Sequence, residues 1–209
     1  MNALKAEMPK NTRKRLVLLL QILGSFEKPR ITSLEISRLL GCRDTLVRFD
    51  LRFVDCPCGV SNGYDVESLK ASVRNALGGG AALGDGKSAA KNCCIVGLGR
   101  LGAALLDDSF FEASGFSVCA GFDSNLNRVE LLRSTFELYP ASRIESVLPQ
   151  QKIEYAVLCC AESEAQKMTD RLVRAGVKGI VNYTRAVVGV PPLVKVENVS
   201  PVLALQMCV

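Results

Sequence analysis

The chain has 209 residues, of which 48% are hydrophobic and 22% are charged, a balance typical of a globular protein with one large core or two smaller ones. It excludes disordered and collagen-like classes. The formal net charge of +5 is confined to residues 1–77, which hold 13 Lys and Arg against 8 Asp and Glu, whereas residues 78–209 hold 13 of each kind. Such asymmetry is typical of a nucleic-acid-binding module joined to a neutral module, although a basic solvated surface gives the same signal.

Histidine is absent, which excludes His-containing zinc sites, Ser-His-Asp triads and a histidine general base. The nine cysteines are odd in number and include two adjacent pairs in apolar runs, so we expect reduced thiols in the cytoplasm. Cys56-Pro57-Cys58 fits a plain loop better than a soft-metal or redox site, and we predict no metal. No apolar run approaches the ~18 residues that span a bilayer, so we expect a soluble cytoplasmic protein without a membrane partner.

The first third of the chain shows a helical pattern. Residues 11–23 form a predicted helix that is apolar on more than one face, which favours burial, including burial against a partner chain. A second helix begins at Thr32, where Glu35 completes a capping-box pattern, and it ends near Gly41. A third helix follows over residues 44–54. Two short helices joined by a tight turn with a glycine predict a helix-turn-helix.

The third predicted helix carries two stripes of residues, and a short hairpin follows it. The apolar stripe is expected to face the core, beside Leu51 and Val54, and consists of Leu46, Phe49 and Phe53. The other stripe is polar and basic, and it either reaches base edges and phosphates or forms a solvated face; it consists of Thr45, Arg48 and Arg52. Residues 57–66 predict a two-stranded wing whose turn is Asn62-Gly63.

A glycine-rich segment over residues 78–86 marks a domain boundary, because glycine at that density costs too much backbone entropy for a helix or strand. Beyond it, apolar strands alternate with helices, which predicts a parallel sheet covered on both faces. The predicted strands are residues 93–97, 116–123, 155–161, 179–183 and 194–199. The predicted helices are residues 101–111 and a segment marked by Ala165, Met168 and Leu172.

A glycine pattern directly follows the first of these strands. Gly97 permits a sharp turn, Gly99 lets the backbone approach a pyrophosphate, and Gly102 lets helix and strand pack closely. Asp123 ends the second strand, 21 residues after Gly102, where a carboxylate accepts hydrogen bonds from a ribose diol and repels the extra phosphate of NADP. Strand, turn, helix and acidic residue in this order predict an NAD-type site, and Arg128 is the one feature against the preference for NAD.

No catalytic residue is predicted beside this site, because Glu162, Glu164 and Tyr183 are by default helix caps or core residues. Binding a nicotinamide cofactor does not by itself make an enzyme. Arg100, inside the glycine pattern, either contacts a phosphate or points to water.

A winged helix, a linker helix over residues 68–77 and an NAD-type domain together resemble the Rex family of redox-sensing transcriptional repressors. The resemblance covers residues 8–206. Its most specific stretches are residues 96–102, 121–123, 170–183 and 196–199, and residues 47–48, 50–51 and 63–66 are similar to the recognition helix and wing exit of that family. The predicted architecture is α/β, with an N-terminal winged helix-turn-helix (1–77), a Gly-rich linker (78–91), a Rossmann-type doubly wound parallel sheet (92–199) and a short C-terminal helix (200–209).

The resemblance implies a homodimer that binds double-stranded operator DNA when NADH is scarce and releases it when NADH fills the Rossmann site. Its nicotinamide end would lie near Cys160-Ala161 and Asn182-Tyr183. The predicted cofactor-binding residues are Gly97, Leu98, Gly99, Arg100, Leu101, Gly102, Asp123, Cys160, Ala161, Asn182 and Tyr183. The predicted DNA-binding residues are Lys10, Arg13, Arg15, Arg43, Thr45, Arg48 and Arg52.

The chain also departs from the family pattern. Phe49 stands where the family usually has a second basic residue, residues 54–62 hold no basic residue, and Ser200 stands where an acidic residue is usual. Each missing contact lowers affinity for DNA. Two alternatives therefore stay open: an NAD-binding regulatory or interaction protein that has lost its operator, and a small oxidoreductase or CoA-binding enzyme.

Overall fold

The computed structural model describes residues 8–55, 63–79, 90–107, 111 and 114–208. The chain divides into two compact units, residues 1–88 and residues 89–209. The predicted linker, residues 78–91, spans this division, and its residues 80–89 lie outside the described part of the chain. Cys56-Pro57-Cys58 lies outside it as well.

The described part of the first unit is a helical domain with one short antiparallel strand pair. The predicted capping box is present: the hydroxyl of Thr32 accepts from the amide of Glu35 at 3.2 Å, and the carboxylate of Glu35 accepts from the amide of Thr32 at 2.9 Å. Gly41 ends that helix in the left-handed conformation, as the helix-turn-helix pattern predicts. The elements are α1 (Lys10–Gly24), β1 (Arg30–Ile31), α2 (Ser33–Leu40), α3 (Asp44–Leu51), β2 (Tyr64–Asp65) and α4 (Val66–Arg74), followed by a π-helical turn (Asn75–Gly79).

The predicted wing lies only partly within the described residues. Its last residues form β2, which pairs with β1, a strand between α1 and α2 in sequence. Residues 56–62 lie outside the described residues, so pairing within residues 57–66 stays a prediction. The pairing of β2 with β1 is non-local, and the turn signal at Asn62-Gly63 carries no information about it.

The orientation of α3 differs from the prediction. Its buried residues follow the spacing i, i+3, i+4, i+7 and are Val47, Asp50, Leu51 and Val54. Phe49, predicted to be in the core, is 43% exposed, and Leu46 and Phe53 are only half-buried. The prediction was wrong because partners on α1 let the Asp50 carboxylate take a core position, which turns Phe49 outward.

The second unit is built on a six-stranded sheet whose described strand pairs are all parallel. The strand order is β5-β4-β3-β6-β7-β8, which is the order of a doubly wound dinucleotide-binding sheet and confirms the predicted Rossmann-type fold. Its strands are β3 (Lys91–Val96), β4 (Phe116–Asp123), β5 (Glu137–Pro140), β6 (Tyr155–Leu158), β7 (Gly179–Asn182) and β8 (Lys195–Asn198). Its helices are α5 (Arg100–Ala104), α6 (Leu126–Leu131), α7 (Ile144–Gln150), α8 (Glu162–Arg174) and α9 (Pro201–Gln206).

Both faces of the sheet are covered, as its apolar strands predict. Cys94 and Val96 of β3 join a hydrophobic cluster with residues of α7 and α8, whereas Cys93 and Ile95 join a cluster on the other face. The strand order reverses between β3 and β6, which opens a crevice at the carboxyl ends of these two strands. The helix after β3 is shorter than predicted, because residues 105–107 form a turn.

Candidate functional site

The turn after β3 is fixed by two glycines. Gly97 has φ +93°, and its amide donates to the carbonyl of Phe122 at 2.7 Å. A Cβ at Gly97 would overlap the backbone of Cys160 on the neighbouring strand end, and a Cβ at Gly102 would overlap the carbonyl of Gly97. Each position therefore requires glycine, because no room exists for a side chain. The turn thus keeps the ends of β3, β4 and β6 close together.

A cavity of about 330 Å³ opens at this edge of the sheet. It lies at the topological switch point between β3 and β6, where doubly wound sheets bind their ligands. Five of the predicted cofactor residues line it: Gly97, Gly99, Asp123, Cys160 and Ala161. The remaining lining residues are Val96, Phe122, Ser124, Arg128, Ala141, Cys159, Glu164 and Met168.

The other predicted cofactor residues do not line the cavity. Leu98 is buried in the core cluster beneath the turn, whereas the side chains of Arg100 and Leu101 are exposed. Gly102 acts through its close packing on the turn. Asn182 is fully buried and bonds with Thr184, Ala186 and Asn198, so the structure gives it a role in holding the loop after β7. Tyr183 packs against the same cluster as Leu98.

Asp123 is the charged centre of the site and is 5% exposed. Its carboxylate accepts from the amide of Leu98 at 2.6 Å, from the amide of Asn125 at 2.7 Å and from the guanidinium of Arg128 at 3.3 Å. The aspartate therefore ties the glycine turn to the end of β4, a function that its sequence position did not reveal. A carboxylate accepts about four hydrogen bonds, so these three are compatible with a ribose hydroxyl as a further donor.

Two polar residues of the rim were not predicted to bind cofactor: Ser124 was not singled out, and Glu164 was assigned by default to a helix cap or the core. Both line the cavity, and the Ser124 hydroxyl donates to the Glu164 carboxylate at 3.2 Å. Ser124 follows the end of β4 and Glu164 lies in the first turn of α8 after β6, and the carboxyl ends of parallel strands meet at one edge of the sheet. Arg128 also lines the cavity while paired with Asp123, with its side chain 51% exposed.

The thiols at the cavity are protonated at neutral pH. Burial raises the pKa of Cys159 to about 12 and that of Cys160 to about 11, and the carboxylates of Glu164 and Asp123 add to the second shift. Seven cysteines lie in the described part of the chain, and all seven are unpaired. Within that part, no group of three or more potential ligands is placed to hold a metal ion. No described helix is long and apolar enough to cross a membrane.

The residues of this edge fit a dinucleotide. The cavity wall at Gly99 is bare backbone with open space where a Cβ would stand, and the first amides of a helix have no intrahelical acceptor. Pyrophosphate is held by such a backbone cradle, and Asp123 lies at the end of β4, where a ribose binds in this fold.

The second candidate surface is the outward face of α3. The side chains of Arg43, Thr45, Arg48 and Arg52 are exposed, and Arg48 is 67% exposed while it pairs with Asp44 at 2.9 Å. The predicted polar stripe is therefore present on the surface. Exposed arginines on the second helix of a helix-turn-helix are suited to phosphates and base edges.

The basic residues of α1 are used differently. Arg15 makes two hydrogen bonds to the carboxylate of Asp50, at 2.6 and 2.8 Å, and Thr12 donates to the same carboxylate at 2.8 Å. This partly buried network fastens α3 to α1 and occupies the guanidinium of Arg15, which favours a structural role for Arg15 over a contact with DNA. Arg13 is exposed and donates to the carbonyl of Leu77 at 2.9 Å. Lys10 is exposed at the start of α1.

The fold and the two surfaces define a class of protein: a helix-turn-helix unit joined to a Rossmann-type unit with a dinucleotide cavity. The family described as CoA binding domain matches residues 88–186. The redox-sensing transcriptional repressor Rex of Lactiplantibacillus plantarum is 33% identical over 205 residues, which cover 97% of this chain and 88% of that protein.

Solved structures of a Rex-family repressor also match this chain over both of its units. RSP, a Rex-family repressor, was crystallised with β-NADH and also with β-NAD+ and operator DNA. The NADH complex has a TM-score of 0.82 and 30% identity, covering 97% of this chain and 93% of that one. The DNA complex has a TM-score of 0.82 and 30% identity, covering 96% and 90%. The chain belongs to the Rex family of redox-sensing transcriptional repressors.

Proposed function

We propose that this chain is an NADH-responsive transcriptional repressor that binds operator DNA as a homodimer and releases it when NADH occupies the cavity. The observation that carries the proposal is the likeness to RSP, which extends over nearly the whole chain at a TM-score of 0.82. RSP has been crystallised with NADH and with NAD+ and operator DNA.

The cofactor is proposed to lie across the edge of the sheet formed by β3, β4 and β6. Gly97 and Gly99 offer backbone to the pyrophosphate, and Asp123 accepts from the adenine-side ribose. Cys160 and Ala161, at the start of α8, lie toward the nicotinamide. In this arrangement Gly102 and Leu98 support the turn, and Asn182 and Tyr183 support the strand ends next to it.

DNA is proposed to bind the outward face of α3. Arg48 and Arg52 carry charge on that face, Thr45 can bond with base edges, and Arg43 lies at the start of the helix. Lys10 and Arg13 of α1 stay in the proposed set as contacts to the phosphate backbone.

A homodimer is supported by apolar surface on α9. Of this helix and the turn after it, Val202, Leu203, Leu205 and Met207 are each more than half exposed. Burial of such side chains against a second copy removes apolar area from water, at about 25 cal/mol per Å². A two-fold dimer also presents two recognition helices to a palindromic site.

We propose further that the protein acts in the cytoplasm and senses NADH without turning it over. The two thiols at the cavity have pKa values near 11 and 12, so neither is an acid or base matched to neutral pH. The chain also has no histidine to serve instead.

The test is selection of duplexes from a random library by the purified protein in NAD+, followed by titration with NADH, NAD+ or CoA. We expect enrichment of palindromic duplexes, a dimeric mass by light scattering, release by NADH alone and constant NADH absorbance. Failure to enrich any duplex at low salt would overturn the proposal. Release by CoA but not by NADH would assign the cavity to a different ligand.

A further inference from the structure

Phe49 lies on the exposed side of α3, at one edge of its basic stripe. An α-helix turns by roughly 100° per residue, which places Thr45 about 40° and Arg52 about 60° from Phe49, both on the same side of it. Val47, Asp50, Leu51 and Val54 occupy the opposite side and are buried. The ring therefore points away from the core, although a phenylalanine that stabilises the fold is expected inside it.

The ring is both exposed and braced. Phe49 is 43% exposed, and its ring lies edge-on to that of Phe53, with centroids 5.6 Å apart and an interplanar angle of 70°. An aromatic pair of this geometry restricts the motion of the exposed ring. A side chain that is already ordered loses little conformational entropy when it binds a partner.

The charge around Phe49 selects the partner. Arg48 and Arg52 lie beside it on one side of α3, and Arg48 pairs with the carboxylate of Asp44 at 2.9 Å. Arg52 and Arg43 are exposed as well, so this surface stays net basic and fits a polyanion. Since the proposed function seats this face in the major groove, the ring lies next to two side chains that reach base edges. The C5-methyl of thymine is the apolar group that the major groove offers there.

We propose that Phe49 is a specificity-determining residue that contacts the C5-methyl group of a thymine in each half-site of the operator. This inference rests on the proposed function, because it requires that α3 reads DNA. The contact makes the protein prefer thymine at one symmetry-related pair of operator positions, because it recognises their methyl groups and not their hydrogen-bonding groups.

The experiment removes the methyl group without changing the hydrogen-bonding pattern. A duplex enriched by the wild-type protein is resynthesised with deoxyuridine in place of thymine, one symmetry-related pair at a time. Affinity is then measured by fluorescence anisotropy at fixed salt. We expect one pair at which the loss is about fourfold per methyl, or roughly 15-fold for both half-sites. The variant Phe49→Ala should bind thymine and deoxyuridine duplexes equally at that pair.

The controls separate the possible causes. Leu39→Ala, which truncates an apolar side chain of α2 that is 47% exposed, should keep the full dependence on the methyl group. Phe49→Leu should keep part of it, and an unchanged melting temperature shows that each variant folds.

Three results would overturn the inference, and they show whether the proposed function fails with it. If no duplex is enriched by the wild-type protein, the proposed function fails and this inference fails with it. If duplexes are enriched but Phe49→Ala and wild type respond equally to every deoxyuridine pair, only the role of Phe49 fails. If Phe49→Ala changes the oligomeric mass and leaves sequence preference unchanged, Phe49 is a protein contact.

Discussion

Gly99 separates cofactor binding from folding more cleanly than any other residue of the turn. It has φ −69° and ψ −162°, a backbone conformation open to alanine, and a Cβ there meets no atom within 4 Å. Gly99→Ala should therefore fold normally, and its stability should change by less than about 1 kcal/mol. The new methyl group nevertheless enters the cavity, where Gly99 forms part of the wall.

The expected loss of NADH affinity follows from the contacts that the methyl group displaces. A hydrogen bond between a backbone amide and a charged phosphate is worth about 1.5–3 kcal/mol. Loss of one such bond weakens binding by about 10- to 150-fold. Isothermal titration with NADH measures this loss, and a thermal melt measures folding.

Two glycine variants serve as matched controls. Gly24→Ala, at the end of α1, also meets open space and should leave both NADH affinity and melting temperature unchanged. Gly102→Ala should instead lower the melting temperature of the second unit, because its Cβ would overlap the carbonyl of Gly97. Wild-type NADH affinity in a folded Gly99→Ala variant would refute the placement of pyrophosphate at this turn.

Three further predictions address the other groups. Asp50→Ala should destabilise the first unit by about 3–5 kcal/mol, because it leaves the partly buried Arg15 unpaired. Native-state hydrogen exchange of the α3 amides measures this loss of stability, and unchanged protection of those amides would contradict the prediction. Arg48→Ala should weaken DNA binding and lower the slope of log affinity against log salt concentration by about one, with NADH affinity unchanged. Arg185→Ala, on the second unit, should change neither that slope nor DNA affinity. Equal losses in both variants would contradict the assignment. Cys160, whose pKa is about 11, should be alkylated far more slowly at neutral pH than the exposed Cys208. The alkylation rate of Cys160 should rise about tenfold per pH unit below that pKa. Mass spectrometry measures both rates, and equal labelling of the two thiols at neutral pH would contradict the prediction.

The sequence predicted the parts of the fold that depend on local or strongly periodic signals. The capping box at Thr32, the apolar strand β3 and the glycine turn that follows it are such cases, and the structure contains each of them. Their physical causes lie within a few residues, so a single sequence carries them in full.

The errors arose where distant residues decide the outcome. Asp50 is buried because Thr12 and Arg15 on α1 satisfy its carboxylate, and that contact rotates α3 and exposes Phe49. Asp123 likewise bonds with the Leu98 amide across 25 positions, which its place at the end of a strand does not reveal. Both aspartates are polar groups whose burial depends on partners far along the chain.

The central claim is that NADH in the cavity controls binding of DNA, and one titration tests it most directly. A labelled duplex enriched by the wild-type protein is held in NAD+, and fluorescence anisotropy is followed as the ratio of NADH to NAD+ is raised. The account predicts that NADH weakens DNA binding by about 5- to 150-fold, the usual range of coupling between two sites, and that Gly99→Ala needs far more NADH to respond. Equal DNA affinity at every ratio in the wild-type protein would contradict it.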